Sequence, residues 1–177
     1  MAGLAETGDK SDGPAIARLL SNGSALTRCV VLRSLRALKS DDHLDLGSFI
    51  AREVPSVARE AALSLLAQRS IPGYTVWLQA LQNSDPRVWL AVLKVFGRAG
   101  KWTRLHVYVD AANIGDSRIF AYAVEQLQWW IAGYNRSFAR VAPEERQDIL
   151  ESFERIQGRL PVALARELDF ILKSSID

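Results

Sequence analysis

Residues 85–97 read Asp-Pro-Arg-Val-Trp-Leu-Ala-Val-Leu-Lys-Val-Phe-Gly, and this stretch decides the fold. Its main apolar positions follow the i, i+4, i+5, i+8 spacing of a single helix face, at Val88, Val92, Leu93 and Phe96. Asp85 stands where a helix N-cap accepts hydrogen bonds from free backbone amides. Pro86 suits the first helical turn, where no amide partner is needed. The stretch therefore predicts an amphipathic helix that begins at Pro86.

The same apolar face recurs along the chain at an interval of 31 residues. The position of Val88 is aliphatic in every copy, and the four residues are Leu26, Val57, Val88 and Ile119. A second helix, which precedes this one, repeats at the same interval in the row Ala15, Leu46, Trp77 and Tyr108. The pattern predicts four helical pairs, at about 14–39, 45–70, 76–100 and 107–132. Buried packing is the expected role of Trp77, Trp89 and Trp102.

One helical pair cannot bury its own apolar face, so neighbouring pairs must stack. We therefore predict an all-α fold, a right-handed α-solenoid of four helical hairpins of ~31 residues with a C-terminal helical cap. The interval fails after Gly133, and two further helices are expected at about 142–157 and 160–174. The predicted organisation is a flexible N-terminal tail over 1–13, repeats over 14–132 and a capping helix pair over 133–177.

Units of this length, with Asp85-Pro86-Arg87-Val88 before an alanine-containing helix, resemble HEAT-like repeats of the short, phycobilisome-lyase type. Val57-Ala58-Arg59-Glu60-Ala61-Ala62 is the next best match, and the resemblance covers roughly residues 14–132. It implies an armadillo-like α-solenoid. The family usually has arginine directly after the valine, where this chain has Ala58, Trp89 and Phe120.

In solenoids of this type the second helix of each pair lines the concave surface. In the first two pairs the inward rows are Ala25, Cys29, Leu32 and Arg36, then Ser56, Glu60, Leu63 and Ala67. In the last two they are Arg87, Ala91, Lys94 and Arg98, then Arg118, Tyr122, Glu125 and Trp129. Two alternatives stay open: Trp129 or Trp130 packs under the C-terminal cap, and the basic side chains are simply solvated.

Residue types that carry out chemistry are scarce. The chain has one cysteine and two histidines, and His43 and His106 lie about two repeats apart. No nucleophile–histidine arrangement, metal-ligand spacing or phosphate-binding loop is present, so we expect no enzyme activity, no metal and no cofactor. No apolar run approaches the ~20 residues of a membrane span, and the N-terminus does not read as a secretory signal. A single cysteine fits a reducing cytoplasm, which is the expected location.

The preferred hypothesis is a protein-binding module, namely an adaptor, assembly factor or inhibitor. Its partner, with an acidic or mixed surface, would contact the concave face through Arg87, Lys94, Arg98, Arg118, Tyr122, Glu125 and Trp129. The alternative is nucleic-acid binding, with phosphate contacts from the basic residues and a DNA-glycosylase-like arrangement of Arg98, Asp116, Tyr122 and Trp129. A chromophore-lyase-like role is implied by the repeat family alone.

Overall fold

The computed structural model describes residues 8–68, 72–134 and 139–174. Over these residues the protein is all-helical and contains no strand, which confirms the predicted all-α class. The α-helices are α1 (Gly13–Ala17), α2 (Ala25–Ala37), α3 (Leu46–Arg52), α4 (Pro55–Ala67), α5 (Tyr74–Leu81), α6 (Pro86–Val95), α7 (Lys101–Asn113), α8 (Ser117–Ala132), α9 (Pro143–Ile156) and α10 (Val162–Ser174). Short 3₁₀ helices lie at Lys10–Asp12, Arg18–Leu20, Phe96–Arg98 and Gln157–Arg159.

Helix starts follow the local chemistry that the sequence predicts. The Asp85 carboxylate accepts a hydrogen bond from the Arg87 amide at 2.8 Å, and Pro86 occupies the first turn of α6. The Asp116 carboxylate accepts from the amides of Arg118 and Ile119 at the start of α8. Each cap satisfies amides that have no partner inside the helix.

The chain divides into two compact units, Met1–Arg98 and Ala99–Asp177. In the first unit α4 packs against both α2 and α6, while α3 packs against α4 and α5, and α5 against α6. Val57 and Val88 are fully buried, as the interval of 31 residues predicts. Asn83 links successive helices, because its side-chain amide donates to the carbonyl oxygens of Ile50 and Glu53 at 3.3 and 3.1 Å.

The N-terminal helices depart from the predicted rows. Leu26 occupies the same row as Val57 but is 74% exposed, so its predicted core position is wrong. Cys29 and Leu32, which were expected on the inner surface, are buried instead. Within the described residues α2 packs against α1 and α4. The fully buried side chains of α2 are Val31, Leu32 and Leu35, so its buried face is turned away from Leu26.

The first seven residues of the predicted tail lie outside the described residues. From residue 8 onward that segment carries the 3₁₀ helix Lys10–Asp12, where the Asp9 carboxylate accepts from the amide of Ser11 at 2.7 Å.

In the second unit α7 packs against α8 and α9, and α8 packs against α10. The first helix of this unit begins at Lys101, six residues before the predicted start at 107. Gly100 is its N-cap, and Trp102 and Leu105 bury enough apolar surface to make the extra turns favourable. His106 is consequently a buried residue in the middle of α7 rather than the residue that begins the helix. The two predicted C-terminal helices are present as α9 and α10.

Candidate interaction surfaces

Three of the predicted binding residues lie in the first unit, on α6 and the 3₁₀ turn that follows it. Arg87, Lys94 and Arg98 are all exposed, and their i, i+7, i+11 spacing keeps them near one line of the helix surface. We call them the α6 row. The Lys94 side chain makes no hydrogen bond or ion pair with any residue that the structure describes, so its ammonium is available to a partner.

The other two members of the α6 row are committed to intramolecular contacts. The Arg87 guanidinium pairs with Asp85 at 2.6 Å, and hydrogen bonds from the Arg87 side chain and backbone lower the pKa of Asp85 to about 2. Arg98 donates to the carbonyl oxygens of Leu65 at 3.0 Å and Gln68 at 2.9 Å. These carbonyls lie at the C-terminal end of α4, where the helix leaves acceptors unsatisfied. Arg98 therefore has a structural role that the sequence analysis missed.

The other four predicted residues lie in the second unit, on α8. Arg118, Tyr122, Glu125 and Trp129 are spaced i, i+4, i+7 and i+11, which places them on one side of the helix. We call them the α8 stripe. Arg118, Glu125 and Trp129 are exposed and Tyr122 is half-buried. Burial, with a smaller contribution from the Glu125 charge, raises the pKa of Tyr122. The stripe therefore combines both charge signs with aromatic surface.

The two adjacent tryptophans of α8 have opposite environments. Trp129 is 69% exposed, whereas Trp130 is only 4% exposed. The Trp130 indole Nε1 donates to the carbonyl oxygen of Lys101 at 2.7 Å. Trp130 is therefore the structural tryptophan, and Trp129 presents a large apolar surface to solvent.

Trp130 belongs to a cluster of three aromatic rings with Trp102 and Tyr134, which we call the ring cluster. Its ring centroids are 5.7 Å apart for Trp102–Trp130, 6.3 Å for Trp102–Tyr134 and 5.3 Å for Trp130–Tyr134. The Lys101 ammonium lies 3.7 Å from the Tyr134 centroid and donates to the Tyr134 carbonyl at 2.7 Å. Burial lowers the pKa of Lys101. Such cation–π contacts hold the start of α7 against the end of α8.

The basic residues of α2 are paired rather than solvated. Arg33 donates to Glu60 through Nε at 2.8 Å and Nη2 at 2.6 Å, and Arg36 Nη2 lies 3.2 Å from the same carboxylate. Arg28 pairs with Glu53 at 2.9 Å. Burial by itself would raise the pKa of Glu60, but the hydrogen bonds from Arg33 and Arg36 hold it below its usual value. Glu60, expected on the open inner surface, is thus largely buried in an ion-pair network.

The described residues offer no assembled metal-binding group. No cluster of three His, Cys, Asp or Glu side chains that could hold a metal ion occurs among them. Cys29 is buried, and the buried His106 lies 4.0 Å from Asp110 on its own helix. In the parts of the chain that the structure covers, no helix has the length and apolar character needed to cross a membrane.

No family model, no curated protein and no solved structure matches this chain. Its function must therefore be inferred from its own surfaces.

Proposed function

We propose that the protein is a non-enzymatic protein-binding module that uses the α8 stripe as the centre of its interface. The observation that carries this proposal is the 69% exposure of Trp129 beside half-buried Tyr122 and exposed Glu125. Tryptophan, tyrosine and arginine are the residues that most often dominate binding energy at protein interfaces. A solvated tryptophan forgoes the burial of apolar surface that stabilises a fold, and a partner would restore it.

The charges of the α8 stripe define the kind of partner. Arg118 already pairs with Asp116 at 3.0 Å, so its positive charge is partly compensated within the protein. Glu125 contributes an exposed negative charge at the centre of the stripe. A partner with a mixed surface, including acidic groups, complements this arrangement.

We further propose that the helical pairs stack as a HEAT-like α-solenoid. Within the first unit, α2, α4 and α6 pack in succession, which supports this arrangement. The full burial of Val57 and Val88, which lie in equivalent positions, supports it as well.

Nucleic-acid binding receives less support from the same residues. Arg87 and Arg118 are held by the N-cap aspartates of their own helices, and Arg98 is used at the end of α4. Counterion release requires cations that are free to contact phosphates. Three of the four proposed phosphate contacts are therefore already engaged.

The decisive experiment compares two exposed aromatic side chains of the same unit. Trp129→Ala tests the α8 stripe, and Phe170→Ala is the matched control, since Trp129 is 69% and Phe170 70% exposed. Both variants and the wild type would be immobilised, and partners recovered from a lysate of native cells would be quantified by mass spectrometry. Circular dichroism would confirm that all three proteins are folded.

We expect Trp129→Ala to lose specific partners that Phe170→Ala retains, and Glu125→Lys to weaken the same interaction. Equal recovery by the wild type and Trp129→Ala would refute the proposed interface. Arg98→Glu is unsuitable as a test, because it would also remove the cap from α4.

A further inference from the structure

The second unit contains a groove between α8 and α10 that the proposed interface does not use. Its volume is about 410 Å³, and the described residues that line it are Ile131, Tyr134, Arg166, Glu167, Phe170 and Ile171. Pockets that bind small molecules usually measure roughly 300–1,000 Å³. A single small ligand therefore matches the size of this groove.

The interior of the groove is apolar and partly aromatic. Ile171 is buried at its base, and Ile131 and Tyr134 are half-buried. Phe170, at 70% exposure, leaves most of its ring without packing partners. An apolar side chain placed in the groove would cover this surface and release the water that contacts it.

One wall is held in place before any ligand binds. Tyr134 lines the groove, and its ring contacts the Lys101 ammonium, at 3.7 Å from the ring centroid, and packs on Trp102 and Trp130. The ring cluster therefore fixes the position of Tyr134. A ligand would not have to order this side chain, which removes part of the entropic cost of binding.

The rim carries one cation and one anion. Arg166 and Glu167 are both exposed, and neither side chain forms an ion pair or hydrogen bond with another residue in the described part of the chain. A guanidinium presents parallel N–H donors that match a carboxylate, and a carboxylate accepts hydrogen bonds from an ammonium group. The two rim charges therefore complement a molecule that carries both a carboxylate and an ammonium.

We propose that this groove binds a free amino acid with a large apolar side chain, aromatic or branched. Its carboxylate lies against Arg166, its ammonium against Glu167, and its side chain between Ile131 and Phe170. This site is separate from the α8 stripe and does not depend on the protein-binding function proposed above.

The test is a titration followed by ¹H–¹⁵N correlation spectra of the full chain. L-phenylalanine, N-acetyl-L-phenylalanine and L-phenylalaninamide have the same ring, but the second lacks the ammonium and the third lacks the carboxylate. We expect L-phenylalanine to shift amide signals of α8 and α10 with a dissociation constant on the order of 1 mM or tighter, as the ligand efficiency of small molecules allows. Each altered compound should bind roughly fivefold more weakly or worse, the usual effect of losing one hydrogen bond.

Variants assign each contact to its residue. Arg166→Gln should weaken the binding of L-phenylalanine but leave the binding of L-phenylalaninamide, which has no carboxylate, unchanged. Glu167→Gln should weaken the binding of L-phenylalanine but leave the binding of N-acetyl-L-phenylalanine, which has no ammonium, unchanged. Phe170→Ala should abolish the shifts, whereas Trp129→Ala on the α8 stripe should leave them unaltered. An absence of shifts in the wild type at about 20 mM, well above the expected range, would overturn the proposal. Equal affinities for all three compounds would overturn it as well.

Discussion

Replacing Glu60 with glutamine should destabilise the first unit, because this carboxylate holds two arginines of another helix. Glu60→Gln keeps the size of the side chain but removes the charge that Arg33 and Arg36 face. Hydrogen bonds to charged groups contribute roughly 1.5–3 kcal/mol when shielded from water, whereas exposed ion pairs contribute roughly 0.2–1 kcal/mol. The Arg33 side chain is 59% exposed, so its contact with Glu60 lies nearer the range of exposed ion pairs. The Arg36 side chain is 24% exposed, so its contact lies nearer the range of shielded hydrogen bonds.

We therefore expect the free energy of unfolding to fall by about 2 kcal/mol at neutral pH. For a chain of this length that corresponds to a decrease in Tm of roughly 4–8 °C. Urea and thermal unfolding, followed by circular dichroism at 222 nm, would measure both quantities. Glu154→Gln is the matched control, because Glu154 is exposed on α9 and makes no ion pair with a described residue.

The pH dependence provides a second test with a defined sign. The Glu60 pKa is lower in the folded protein than in the unfolded chain, so the carboxylate contributes its full stabilisation above the unfolded pKa of about 4.3. The contribution is lost as the pH falls through the lower, folded pKa. The stability difference between wild type and Glu60→Gln should be constant above about pH 5 and should narrow below about pH 4. A difference under about 0.5 kcal/mol at pH 7, the size of an ordinary surface substitution, would refute the reasoning.

Three further predictions concern single side chains. Trp130→Ala should cost about 3–5 kcal/mol of folding free energy, while Trp129→Ala should cost less than about 0.5 kcal/mol. Denaturant unfolding of the two variants would measure both values, and similar losses would mean that the two environments are wrongly assigned. Arg98→Ala should lower the free energy of unfolding by about 1 kcal/mol through the uncapped carbonyls of Leu65 and Gln68, and an unchanged denaturation midpoint would contradict this role. Asp85→Asn keeps an N-cap but loses the ion pair with Arg87. Because the pKa of Asp85 is lowered from 3.8 to about 2, the decrease in Tm of this variant relative to the wild type should be full above about pH 4 and disappear near pH 2. A decrease that persists in acid would exclude the ion pair as its cause.

The helices could be predicted from the sequence because local chemistry determines them. Asp85 and Asp116 begin helices through hydrogen bonds to amides two or three residues away, a range that a sequence displays directly. The burial of Val57 and Val88 follows from a recurring apolar face. Both signals depend on neighbours that are close in the chain or repeated at a fixed interval.

The contacts that the sequence did not reveal join residues far apart in the chain. Arg33 and Glu60 are separated by 27 residues, and Arg98 and Leu65 by 33. The residue pattern of one helix does not predict which carboxylate or backbone carbonyl of another helix an arginine will contact. The exposure of Leu26 was missed for a related reason: the interval assigns the same face to every copy, whereas the packing of α2 buries Leu32 and Leu35 and leaves Leu26 exposed.

Of the candidate surfaces, the spacing of the α8 stripe could be predicted, but the difference between its adjacent tryptophans could not. Helical periodicity places Trp129 and Trp130 about 100° apart without saying which one meets other aromatic rings. Trp130 is buried because Trp102 of α7 packs on it, together with Tyr134 just beyond the end of α8. Which of the two tryptophans is buried could be predicted only if the packing of α7 against α8 were known.

Asn83 and Arg98 impose a condition on how the first unit can be lengthened or shortened. Each side chain satisfies carbonyl groups that an earlier helix leaves open at its C-terminal end. Deletion of the segment that carries either residue would therefore leave its predecessor with unsatisfied acceptors as well as exposed apolar surface. Truncations inside residues 8–98 should lose stability abruptly rather than in equal steps.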